Sequence, residues 1–187
     1  MLNLFIQKAI IFATKKHLGQ VRKSTDIPYI VHPMEVMQIL THLNAFETII
    51  VAGILHDTLE DTDTTPEEIR KIFGEDVLNL VQKESEDKSK TWKERKQTTI
   101  DELKECSSDV KVICFADKLS NLRSIYRDKL EIGERVWDRF NATKEEEYWY
   151  YKSILEETYV TLQTIFQTKG CFLVDEYSNL LKEVFEK

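Results

Sequence analysis

Residues 53–62, GILHDTLEDT, set His56, Asp57, Glu60 and Asp61 directly behind the apolar run Ile49-Ile50-Val51-Ala52. Desolvating an isolated carboxylate costs several kcal/mol or more, so acids placed at the edge of a buried segment need a partner, a proton or a metal. His56 and Glu60 are four residues apart, and so are Asp57 and Asp61. On a helix each pair falls on adjacent turns of one face, which gathers the four groups into two neighbouring stripes. Imidazole combined with carboxylate suits Zn²⁺, Mn²⁺ or Fe²⁺ better than Ca²⁺, which prefers oxygen-only cages.

One helix cannot enclose an ion, so other segments must contribute. IPYIVHPMEV supplies His32, set before a proline at a helix start, and CFADKLSNL supplies Asp117 behind an apolar run much like the one before Asp57. The set His32, His56, Asp57 and Asp117 leaves coordination positions open for water and substrate, as a catalytic site needs. Each residue also has an ordinary structural reading: His32 packs beside Pro33, and Asp117 serves as a salt-bridge partner. His17 and His42 lack comparable neighbours and read as surface or packing residues.

These groups must be held by helices. Five glycines and three prolines in 187 residues are too few for the many tight turns of a β-rich fold. Helical spacing is read over 2–18, 33–43, 45–60, 66–73, 75–83, 92–105, 108–127, 131–139, 143–168 and 172–186. In the first of these, Leu4, Phe5, Ala9 and Phe12 keep helical spacing with Lys8 as the polar exception. Thr65, Pro66 and Glu68 form the clearest start signal, a capping box with proline at the first helical position. Gly74 separates two short helices. KESEDKSKTWKERKQ, dense in charge, reads as an exposed connection running into a helix. In the aromatic-rich stretch TKEEEYWYYKSILEETYVTLQTIF, Trp149, Ile154, Leu155 and Leu162 are candidates for a buried stripe, not every one of which need face inward. VKVICFADKL would suit a strand locally, but no second strong strand is available to pair with it, so it reads as helix. The expectation is an all-α, compact single-domain helical bundle over residues 1–187.

Composition narrows the function. A net charge of −7 argues against nucleic-acid binding, which relies on basic surface. No apolar run approaches the roughly 20 residues of a membrane span, and the N-terminal segment lacks a signal-peptide pattern. Cys106, Cys114 and Cys171 are odd in number and form no CxxC pair, which fits reduced thiols and a cytoplasmic location.

Taken together, PYIVHP, GILHDTLEDT and CFADKLSNLR resemble the HD-domain metal-dependent phosphohydrolases, and within them the hydrolase domain of the RelA/SpoT family and its stand-alone small alarmone hydrolases. The matching features run from about Ala9 to about Tyr151. The resemblance implies an all-α fold of the HD-domain type and one divalent ion, of Mn²⁺ type, on His32, His56, Asp57 and Asp117. It implies that Glu60 and Asp61 position and activate the attacking water. It also implies the reaction, removal of the 3′-pyrophosphate from guanosine tetra- or pentaphosphate to give GDP or GTP and pyrophosphate.

A polyphosphate needs local cations on an acidic protein. Arg22, Lys23 and Ser24 match the family's nucleotide-contacting RKS segment, in which arginine stacks on a purine and lysine acts as a compact phosphate charge. Asn121 and Ser124, following Asp117 at helical spacing, correspond to substrate-binding positions, and Tyr29 and Tyr148 are candidates for the same wall. Two departures stand out: the STDI stretch that runs from the end of RKS to PYIVHP is one residue longer than in the best-known members, and Ser120 stands where many members carry a bulkier residue. A chain of this length leaves no room for the synthetase and regulatory domains of the long members, so hydrolysis alone is expected. The alternative is an HD enzyme acting on another nucleotide, a nucleoside monophosphate or an NADPH-type dinucleotide; a non-catalytic nucleotide- or partner-binding module ranks behind both. A homo-oligomer and a cognate alarmone synthetase partner are both compatible with the sequence.

Overall fold

The computed structural model describes residues 4–84, 88–165 and 167–186. Among them the protein is all-α, with no strand and a single isolated β-bridge between Val21 and Pro28. The chain divides into two compact units, Met1–Glu86 and Asp87–Lys187.

The first unit contains α1 (Leu4–Lys16), α2 (Val31–His42), α3 (Glu47–Leu55), α4 (Thr58–Asp61), α5 (Pro66–Phe73) and α6 (Glu75–Glu84). Its centre is α3, where every residue from Ile49 to Leu55 is buried. A helix apolar on all sides must be wrapped, and α1, α2 and α6 pack around this one. The crossing with α2 is unusually close at Gly53: a Cβ there would meet Leu40 Cδ1 at 2.3 Å and Val36 Cγ1 at 3.2 Å. Glycine leaves the space that the Leu40 side chain fills. Lys8, the polar exception on α1, donates to the Ile72 carbonyl at 3.2 Å and lies over the Phe73 ring, while Leu4 is exposed. The Thr65 capping box is formed as expected, and Gly74, at φ +92°, ends α5.

The helix expected over 45–60 is interrupted at His56 and Asp57. The cause is local: His56 Nδ1 donates to the Gly53 carbonyl at 2.8 Å and Thr58 Oγ1 to the Leu55 carbonyl at 2.7 Å. Two side chains thereby take carbonyls that the helical ladder would otherwise use.

The second unit contains α7 (Trp92–Glu105), α8 (Ser108–Ile132), a 3₁₀ helix (Gly133–Arg139), α9 (Lys144–Ile165) and α10 (Gln167–Phe185). VKVICFADKL is helical, and Val112 to Asp117 are buried consecutively in α8. Phe115 stacks on Tyr177 with ring centroids 5.2 Å apart, and the Tyr177 hydroxyl donates to the Tyr151 carbonyl at 2.9 Å. One expectation is corrected. α8 continues past residue 127 to Ile132 and stops where Gly133 adopts φ +64°, and the following turn is 3₁₀. On α9 the buried positions are Glu147, Tyr150, Tyr151, Ile154, Thr158 and Leu162, so Trp149 and Leu155 are only half-buried. Within the expected charged connection, 88–90 are exposed and α7 begins at Trp92; residues 85–87, like 2–3 and 166 at the expected helix limits, lie outside the described residues.

Candidate metal centre

The close crossing at Gly53 is what aligns the site. His32 lies one turn before Val36 on α2, and His56 lies three residues after Gly53 at the end of α3. Seating the Val36 and Leu40 side chains of α2 against Gly53 therefore brings two imidazoles together. His32 Nε2 and His56 Nε2 stand 3.2 Å apart, and both face Asp57 Oδ2, at 3.5 and 3.0 Å. Both histidines are buried, and the Asp57 carboxylate is partly exposed at 20%.

The arrangement fits a divalent ion. Ligand atoms each about 2.1 Å from one ion stand roughly 3.0–3.4 Å apart at ordinary coordination angles, close to the separations within this trio. The donor set, two ring nitrogens and a carboxylate oxygen, is that of a borderline transition metal. His56 is also preset for it. Because a carbonyl can only accept, the Gly53 contact fixes a hydrogen on Nδ1, so the proton that His56 shares with Asp57 is the one on Nε2, the nitrogen that an ion would take in its place.

Asp57 is held as a carboxylate. Burial pushes its carboxyl upward, but the charge of His56 and the hydrogen bonds from both histidines outweigh this and hold it well below the usual range. Tyr29 donates its hydroxyl to Asp57 Oδ2 at 2.5 Å, and burial, followed by the Asp57 charge, raises that hydroxyl far above an ordinary phenol. It remains a donor at any physiological pH.

Glu60 and Asp61 follow on α4, half-buried and exposed respectively. The Asp61 amide donates to the Asp57 carbonyl at 2.9 Å, so one helical turn separates Asp57 from the acidic pair. The segment carrying Arg22, Lys23 and Ser24 is a tight hairpin closed by Arg22 N–H to Ile27 O at 2.8 Å and the Val21–Pro28 bridge. Arg22 lies over the Tyr29 ring at 5.7 Å, Lys23 is exposed, and Ser24 adopts φ +58°. That left-handed conformation in a non-glycine residue is strained.

Asp117 is buried on α8 in the second unit, where its carboxylate pairs with the Lys118 ammonium and accepts from Asn121 Nδ2 at 2.6 Å. Burial disfavours the Lys118 charge, yet the adjacent Asp117 raises its pKa well above normal. Ser124 accepts from Arg127 at 2.9 Å, and Tyr148 is exposed with its ring against Phe185.

Three contributors were not singled out from the sequence. Lys118 neutralises Asp117. His17 is buried against the Tyr29 ring, with centroids 4.8 Å apart, and bonds Gln20 at 2.7 Å. Gln20 in turn donates to the Asp61 carbonyl at 2.7 Å. The i, i+3 spacing of His17 and Gln20 was visible in HLGQ, but nothing in it pointed to Asp61.

Comparison with known proteins agrees with this geometry. A family model described as HD domain matches residues 9–142. The guanosine-3′,5′-bis(diphosphate) 3′-pyrophosphohydrolase MESH1 of Xenopus tropicalis is 42% identical over 125 residues, covering 65% of this chain and 70% of the relative. The chain spans about two thirds of the length of the curated MESH1 relatives that it matches. Among solved structures, lmo0812 from Listeria monocytogenes EGD-e has a TM-score of 0.72 at 34% identity, covering 83% of this chain and 99% of that one. A metazoan ortholog of SpoT, described as hydrolyzing ppGpp and playing a role in starvation responses, has a TM-score of 0.74 at 29% identity and covers 96% of both chains. A family match across 9–142, on a sequence whose two histidines and following aspartate converge at one point, is decisive: the chain belongs to the HD domain family.

Proposed function

We propose that the protein is a metal-dependent guanosine-3′,5′-bis(diphosphate) 3′-pyrophosphohydrolase acting in the cytoplasm, with Mn²⁺ as its ion. The observation that carries this reading is the convergence of His32, His56 and Asp57 one turn ahead of Glu60 and Asp61, in a chain related to enzymes named for this reaction. The odd cysteine count without a CxxC pair supports the compartment. Among the described residues, no helix is long and apolar enough to cross a membrane.

His32, His56 and Asp57 would hold the ion; Asp117 is assigned to the same role on its motif alone. A bound divalent ion makes water a better nucleophile near neutral pH and withdraws charge from a phosphoryl oxygen. Glu60 accepts a proton from the attacking water, and Asp61 helps to orient it. Water oxygen bonds to the phosphorus nearest the ribose 3′ oxygen, that P–O bond breaks, pyrophosphate leaves, and the 3′ oxygen ends as a hydroxyl. Arg22 offers a guanidinium for stacking, and Lys23 and Ser24 reach phosphate from the hairpin. Asn121, Ser124 and Tyr148 are assigned as substrate contacts on motif position, and Tyr29 as the wall beside Asp57. We assign residues 1–187 to one catalytic domain.

The test is incubation of Mn²⁺-loaded protein with guanosine 3′,5′-bispyrophosphate, with GDP and pyrophosphate as expected products. Turnover of a different nucleotide in place of this one refutes the assignment. Glu60→Gln should keep the metal and lose most turnover; retained activity would remove Glu60 from the proton-accepting role.

A further inference from the structure

α4 is a single turn, too short to be stable on its own, and it carries both acids proposed to handle water. The last four carbonyls of any helix have no partner within it. Here Thr62 Oγ1 takes the Thr58 carbonyl at 2.6 Å, and the Asp61 carbonyl is taken from outside the segment by Gln20 Nε2 at 2.7 Å.

Gln20 is itself unusually well fixed. Its main-chain N–H donates to the His17 carbonyl at 3.0 Å, and its own carbonyl accepts from Tyr29 at 2.9 Å. Its side-chain amide is oriented without ambiguity: the nitrogen must face the Asp61 carbonyl, so Oε1 accepts from His17 Nδ1 at 2.7 Å. Gly19, at φ +81°, makes the turn that folds Gln20 back onto the end of α1. His17 is buried, its ring lies against Tyr29, and its Nε2 has no hydrogen-bond partner among the described residues. The ring acts on its surroundings through Nδ1 and its face.

We propose that Gln20, seated by His17, is a positioning residue for the Glu60–Asp61 pair. It anchors the open end of α4 to the end of α1 and to the hairpin that carries Arg22. Its catalytic readout rests on the pyrophosphohydrolase reading above.

The experiment compares wild type with Gln20→Met, which keeps the shape and removes the donor, and with Gln20→Glu, which still accepts from His17 but cannot donate to Asp61. With guanosine 3′,5′-bispyrophosphate, kcat should fall by about 10- to 100-fold, while KM and Mn²⁺ affinity, measured by calorimetry, change by less than about twofold. Amide hydrogen exchange at Asp61 should accelerate by about tenfold while that of Ile54 in α3 is unchanged. His17→Phe should act in the same direction. His17→Asn, whose side-chain N–H stands about where Nδ1 stands, should restore most of the loss. Wild-type kcat and exchange in both Gln20 variants overturn the proposal, as does a parallel loss of metal, KM and kcat, the mark of general loosening. If wild type does not turn over this nucleotide, the substrate reading fails by itself, and the exchange comparison still decides the role of Gln20.

Discussion

Asp57 and Asp117 each close an apolar helical run, yet the protein satisfies them in opposite ways. Asp57 meets two imidazoles and a tyrosine hydroxyl; Asp117 meets a lysine ammonium and an asparagine amide. The first set can give up its hydrogen bonds to a cation, because neutral imidazoles and a carboxylate are themselves ligands. The second is already an ion pair, nearly complete in charge. Similar sequence context thus yields one carboxylate held by hydrogen-bond donors and another held by an adjacent ammonium, which an ion would have to displace for Asp117 to serve as a ligand.

The sharpest break in this comparison is Asp57→Ala. Removing the carboxylate at the centre of the trio should abolish stoichiometric Mn²⁺ binding by calorimetry and reduce turnover to background, with loss well beyond the 10- to 100-fold typical of supporting residues. Asp117→Ala should show itself first in stability. It strands the Lys118 ammonium, whose side chain is 15% exposed, and losing one partner of a buried pair costs about 3–5 kcal/mol. Denaturant unfolding measures this, and adding Lys118→Met should recover most of it. If Asp117→Ala unfolds as wild type does, the ion pair is not what satisfies that carboxylate.

Tyr29→Phe tests the other side with a smaller effect. It removes one hydrogen bond to an ionised acceptor, about 1.5–3 kcal/mol, and should weaken Mn²⁺ binding by about tenfold while leaving the fold intact. The smallest effect is in pH. In the unfolded chain Asp57 titrates near 3.8, and in the folded protein well below that. As pH falls, the unfolded state takes up the proton first. The carboxylate's contribution is therefore fully present above about pH 5 and is lost as pH drops below about 4 toward the folded value. The difference in Tm between metal-free wild type and Asp57→Asn should narrow over that interval, and a constant difference would contradict the depressed titration.

Much of this was legible in the sequence. Scarce glycine and proline gave an all-α fold, and the capping box at Thr65 fixed a helix start to the residue. His32, His56 and Asp57 were identifiable because ligand chemistry depends on residue type, and their convergence followed from helix ends. The break at His56 was not legible, because it comes from two side chains competing for carbonyls that an uninterrupted helix would use. Nor was the pairing of Asp117 with its sequence neighbour Lys118, since adjacent residues on a helix ordinarily diverge. Gln20 was hidden for a third reason: its partner is a main-chain carbonyl 41 residues away, which leaves no trace in side-chain pattern.

The close crossing at Gly53 has a spectroscopic consequence. The same residue that admits the Leu40 side chain also supplies the carbonyl that fixes the His56 tautomer. The packing of α2 on α3 and the tautomer of His56 therefore meet at one residue. Gly53→Ala, by displacing the Leu40 side chain from its seat against Gly53, should appear in ¹⁵N spectra as a shift in the ring-nitrogen resonances of His56, well before any loss of helical signal, so that the imidazole serves as a built-in gauge of the packing at this residue.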